Sequence, residues 1–159
     1  MAVLKSANKT KNTSVPVQKA DPAELKGKSH TLYDSYTFSA NVFALNDEIE
    51  LADLPEGALI LGAKIKSPSL GTTGIFELGL RAHELADGSQ VAEDSDYLVD
   101  AADAGGQGVF AEMGDDPANL EPGFGKKLGK AATPYLLCTE ATDAANGLKL
   151  EVVIEYALP

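Results

Sequence analysis

Two histidines, one cysteine and a crowd of carboxylates are the side chains here with chemistry to offer. His30 and His83 are far apart in sequence. Neither sits in a His-x-x-x-His pattern, the spacing that brings two imidazoles to one zinc ion on a helix. No Gly-x-Ser-x-Gly elbow presents a serine for a histidine to activate, so both histidines read as surface or turn residues. Cys138 lies in an apolar run and reads as a small core hydrophobe. As the lone cysteine it has no intrachain disulfide partner, and a reducing compartment is the simplest setting for it.

The carboxylates are plentiful but poorly patterned. Glu93-Asp94-Ser95-Asp96 and Asp115-Asp116 could offer oxygens to Ca²⁺. A calcium loop also needs a turn glycine and a distant bidentate glutamate. Only the alternation of Asp94 and Asp96 fits, so both clusters read as a solvated acidic face. A glycosidase carboxylate pair can be drawn from any chain with 24 acids, and no Trp is present to stack on a sugar. Gly105-Gly106-Gln107-Gly108 lacks the Lys-Ser/Thr that completes a phosphate loop. These residues therefore predict no catalytic site, no metal and no cofactor.

Charge is distributed unevenly. The first thirty residues hold six lysines against Asp21 and Glu24, a net +4. The remainder holds 7 of the 13 basic and 22 of the 24 acidic residues, a net −15. Residues 1–30 show neither helical nor strand period and cannot bury enough apolar surface to order alone. They read as an extended basic arm. Its candidate partner-binding residues are Lys5, Lys9, Lys11, Lys19, Lys26 and Lys28, with the short extended stretch Val15, Pro16 and Val17. The arm lacks arginine and interleaved aromatics, the usual support for nucleic-acid contacts. A tether over an acidic protein surface is the better reading. The acidic body argues against nucleic acid and against an anionic membrane surface, and no apolar run approaches the length of a membrane span.

Residues 31–159 read as the folded body. Period-two alternation marks strands at 33–44 (Tyr36, Phe38, Ala40 and Val42 inward), 48–51, 58–67 (Leu59, Leu61, Ala63 and Ile65 inward) and 75–82 (Phe76, Leu78 and Leu80 inward). Further strands are expected at 109–113, at 133–140 with both faces buried, and at 148–156. Asn146-Gly147 reads as a hairpin turn before the last of them. The segment 84–130 reads as one long irregular insertion, acidic and Gly-rich, with a short helix over 94–104 suggested by the spacing of Tyr97, Leu98, Ala101 and Ala102. The fold class is all-β: an antiparallel β-sandwich, jelly roll in form, with an open barrel as the alternative.

The body also resembles a known group. The phrases are Tyr36-Thr37-Phe38-Ser39-Ala40, Asn46 to Leu51, Leu54-Pro55-Glu56-Gly57, Ala58 to Ala63, Gly74 to Leu80, and the closing Leu150 to Tyr156. Their succession is similar to that of small virion structural proteins of tailed bacteriophages: head decoration, cement or minor capsid proteins with a jelly-roll body. The resemblance spans about residues 33–159 and brings no catalytic residues. It implies a protein that binds the capsid surface and stabilises it, with the major capsid protein or other virion proteins as partners. It also implies a homo-oligomer, often a trimer, located in the virion after assembly in the host cytoplasm. The competing expectation is a β-sandwich binding module on a head or tail fibre, recognising a carbohydrate or receptor through its loops, where Tyr97, Phe110 and Phe124 are the only aromatics and count against it.

Overall fold

The structure, a computed structural model, describes residues 28–38, 44–71, 73–104, 108–114, 121–142 and 147–159. These residues form ten strands: β1 (Lys28–Thr37), β2 (Glu48–Glu50), β3 (Leu59–Ser67), β4 (Ile75–Leu80), β5 (His83–Glu84), β6 (Gln90–Val91), β7 (Asp94–Asp103), β8 (Val109–Glu112), β9 (Pro134–Glu140) and β10 (Lys149–Leu158). Two four-stranded sheets run β1-β10-β3-β8 and β2-β9-β4-β7, and β5-β6 form a small separate ribbon.

The pairing has a simple logic. β1 pairs β10, β2 pairs β9, β3 pairs β8 and β4 pairs β7, all antiparallel. The chain is one long hairpin, with the β5-β6 ribbon at its tip, rolled until β10 also meets β3 and β9 also meets β4. Before and after the ribbon, successive strands alternate between sheets. That is the double-sheet jelly roll. The core lies between the sheets, where Leu54, Ile65, Phe76, Leu98, Leu136 and Ile154 are fully buried.

Most strands fall where alternation predicts. β10 buries Leu150, Val152 and Ile154, and β4 buries Phe76, Leu78 and Leu80. β9 is apolar on both faces as expected, with Tyr135, Leu136 and Cys138 buried. Within β1, Tyr36 is half-buried and Phe38, just beyond it, is buried; Ala40 and Val42 lie outside the described residues.

Four details differ from expectation. The strand β1 starts at Lys28, so Lys28, Ser29 and His30 pair with β10. In β3, Ile60 is buried while Leu61 is 40% exposed. The reason is a bulge: Glu155 faces Gly62 and Tyr156 faces Ile60, leaving Leu61 as the extra residue. The segment 94–104 is strand and not helix, and 84–130 supplies β6, β7 and β8. Bulges in β7 produce the helix-like spacing. Between Phe76–Ala102 and Leu78–Val99, β7 uses one more residue than β4, and Ala101 there has φ of +38°. Finally, β9 and β10 lie in different sheets, so the connection through Gly147 crosses the sandwich and is not a hairpin.

Candidate functional site

Of the arm's candidate residues, Lys28 is the exposed first residue of β1. Lys5, Lys9, Lys11, Val15, Pro16, Val17, Lys19 and Lys26 lie outside the described residues. So do Asp115, Asp116 and Gly105 to Gln107.

The outer face of the first sheet is a lattice of paired charges. Register lines up Ser35, Glu151, Lys66 and Phe110 in one row, and Tyr33, Val153, Lys64 and Glu112 in the next. Lys64 bridges Glu155 at 3.5 Å and Glu112 at 3.7 Å, and Lys149 meets Glu151 at 3.1 Å. The Tyr33 hydroxyl donates to Glu151 and accepts from Lys149 Nζ at 2.9 Å. These contacts hold Glu151 below the usual carboxylate range, the Tyr33 bond first and the Lys149 bond second. Tyr33 (55% exposed) and Phe110 (63%) stand among the charges. A face with exposed aromatic residues in a mixed-charge field is suited to contact with protein.

The second sheet carries a tighter cluster on Arg81, the only arginine in the chain. Its guanidinium bonds Glu48, Glu93 at 2.8 Å and Glu50 at 3.2 Å, and lies over the Tyr135 ring. The Glu48 bond, followed by Glu93, holds the guanidinium above its ordinary range. Burial, then the charge of Glu93, pushes the Tyr135 hydroxyl up to about 12. One residue thereby ties β2 and β9 to β4 and to the segment between β6 and β7. The sequence signal for this cluster was a lone arginine facing outward beside a Glu-x-Glu strand.

The histidines part ways. His30 is half-buried and stacks on Tyr156, ring centroids 5.5 Å apart. His83 is buried, not a surface residue, and packs edge-on against Tyr97 at 4.9 Å. Its Nδ1 lies 2.9 Å from the Arg81 carbonyl, which can only accept, so Nδ1 carries the proton. The other ring nitrogen, Nε2, is buried and finds no hydrogen-bond partner among the described residues. Cys138 is fully buried, and burial followed by the charge of Asp47 pushes its thiol up to about 11. It is therefore a thiol and not a thiolate nucleophile at neutral pH.

Asp94 and Asp96 share a hydrogen bond that, with burial, raises Asp94 to about 6. Glu77, which adds to that rise, accepts from the Ser95 hydroxyl at 2.6 Å. Among the described residues no three His, Cys, Asp or Glu side chains converge as metal ligands would. Of the aromatics considered for sugar stacking, Tyr97 is buried, whereas Phe110 and Phe124 are exposed.

The strand order thus defines an eight-stranded double-sheet jelly roll with a two-stranded ribbon at its tip. No protein-family model matches the sequence, and none of the curated proteins does. Solved structures do match. A chain in the capsid of Ralstonia phage GP4 is 17% identical, with TM-score 0.60, covering 84% of this chain and 86% of that one. A chain in the capsid asymmetric unit of cyanophage Pam1 is 18% identical, with TM-score 0.52, covering 92% of this chain and 97% of that one. At such identity the likeness shows a common fold.

Proposed function

We propose that this chain is a structural protein of a tailed-phage virion that binds the capsid surface and stabilises it as a decoration or cement protein. One observation carries the reading: the jelly roll overlaps, over most of both chains, with chains from two phage capsids. The mixed-charge face of the first sheet supports it, because such a face can bind a protein shell without exposing a large apolar patch to solvent. The basic segment that precedes β1, ahead of an acidic body, suits a tether lying across neighbouring subunits. The partners are the major capsid protein or other virion proteins, and the role requires no catalytic residue, cofactor, nucleic acid or membrane.

The experiment is to assemble virions without this protein. The expected particles are complete but lose their genome at lower temperature, and added protein restores them. Particles of unchanged stability, from wild-type virions that do not retain the protein on purification, would sink the reading. A chain truncated after Gly27 tests the tether; the expected result is reduced occupancy on particles. Saccharide binding by the body on a glycan array, through exposed Phe110 and Phe124, would favour a fibre-borne binding module instead.

A further inference from the structure

The edge of β1 carries an inference that concerns the free protein and does not depend on the capsid reading. β1 is the last strand of its sheet, and among the described residues nothing pairs with its outer side. Which groups face outward follows from the ladder. Phe38 donates to the Leu148 carbonyl at 2.9 Å and accepts from Gly147 at 2.7 Å, continuing the β1–β10 register. Antiparallel pairs alternate, so even-numbered residues of β1 bond to β10 and odd-numbered ones turn their N–H and C=O away. The odd set is Ser29, Thr31, Tyr33, Ser35 and Thr37.

One of these is already capped. The Ser35 N–H donates to Asp34 Oδ1 at 2.7 Å, while Asp34 Oδ2 accepts from Ala52 N–H at 2.9 Å. Asp34 thereby closes the edge at one point and leaves Ser29, Thr31 and Tyr33 open. Among the described residues no segment covers this open part. It holds no proline and no bulge, and its ten-residue pairing with β10 is unbroken.

The geometry points to a second copy of this chain as the occupant, its β1 paired antiparallel about a two-fold axis at Thr31. In that register Thr31 faces Thr31, and Ser29 faces Tyr33 of the other copy. These are the outward-facing residues, so each exchanges both backbone bonds. The same register sets Lys28 opposite Asp34. These are the two charged side chains of β1, and pairing them across the strands is favourable. Asp34 already accepts two N–H groups, and a carboxylate has lone pairs left for an ammonium. The result joins two β1-β10-β3-β8 sheets into one continuous sheet through an isologous contact.

The test is the mass of the full-length chain by light scattering across a concentration series. The expected result is a dimer. Thr31→Pro removes one outward N–H without touching the bonds to β10, so it should leave a folded monomer. Thr31→Cys provides a second reading that does not depend on a proline being tolerated. Across the proposed axis its two Cα atoms lie about 5.5 Å apart, within disulfide reach, so mild oxidation should give a covalent dimer. Thr37→Cys is the control, since its two copies would lie about 40 Å apart along the strands. A monomeric wild-type chain overturns the inference, as does a dimer that survives Thr31→Pro. Cross-linking of Thr37→Cys as fast as Thr31→Cys also overturns it. None of these results bears on capsid binding, which is measured on particles.

Discussion

The Arg81 guanidinium sits 4.2 Å from the centroid of the Tyr135 ring while its nitrogens hold Glu93 at 2.8 Å and Glu50 at 3.2 Å. The cation covers an aromatic face, and acids from two other segments fix the cation. Arg81→Ala removes both contacts and leaves Glu48, Glu50 and Glu93 repelling one another. The expected cost is about 2 kcal/mol, read as a lower midpoint in urea. Arg81→Lys keeps the charge but not the planar fork, and its midpoint should fall between the two.

Gly79 is the second point of vulnerability. A Cβ there would lie 2.1 Å from the Asp94 carbonyl oxygen and 2.6 Å from the Ser95 Cα. Both are backbone atoms of β7, so no rotamer change relieves the clash. Gly79→Ala should destabilise by about 3 kcal/mol. Soluble expression and thermal unfolding check this; a variant melting within a degree or two of the parent contradicts the close approach of β4 and β7.

Bulge placement predicts opposite outcomes at neighbouring positions. Ile60 is fully buried and Leu61 is 40% exposed. Ile60→Ala should cost about 2–5 kcal/mol, whereas Leu61→Ala should change stability by no more than about 0.5 kcal/mol. Chemical denaturation of the two variants side by side decides it. Equal losses would place the bulge elsewhere.

Asp94 gives a pH dependence with a definite sign. Its carboxyl is raised from 3.8 to about 6 in the folded chain, by the Asp96 bond and burial. The folded state therefore holds a proton that the unfolded chain releases earlier. That contribution is complete below about pH 4 and is lost as pH rises through about 6. Asp94→Asn, neutral throughout, should be more stable than the parent at pH 8, by about 1 kcal/mol once solvent screening is allowed for. Near pH 4 the two should match. Paired melts at both pH values measure the difference, and a gap of the same size at both would remove the proton from the explanation.

How far the sequence could be read depended on the regularity of each strand. β4 and β10 alternate cleanly, and the residues expected inward from Phe76 to Leu80 and from Leu150 to Ile154 are buried. Reading failed where the backbone gained a residue. The bulge at Leu61 swapped Leu61 for Ile60, and the extra residues of β7 turned a strand into an apparent helix. Period counting assumes one residue per step, and a bulge breaks that assumption. Asn146-Gly147 is a local signal and says nothing about which sheet the next strand joins. The cluster around Arg81 was opaque for a related reason: Glu48, Arg81, Glu93 and Tyr135 are distant in sequence, and only the strand order brings them together.

The position of β10 also sets the order of events in synthesis. It lies between β1 and β3 in the first sheet, with Lys28 opposite Leu158. That sheet has a gap at its centre until Lys149 to Leu158 have left the ribosome. β1 and β3 cannot close on each other across it. Folding therefore waits for the last strand and is slowed further by such distant pairings. A chain cut short before β10 would leave both flanking strands with open edges and a core uncovered on one side. The first sheet therefore depends on residues 149–158 for its continuity.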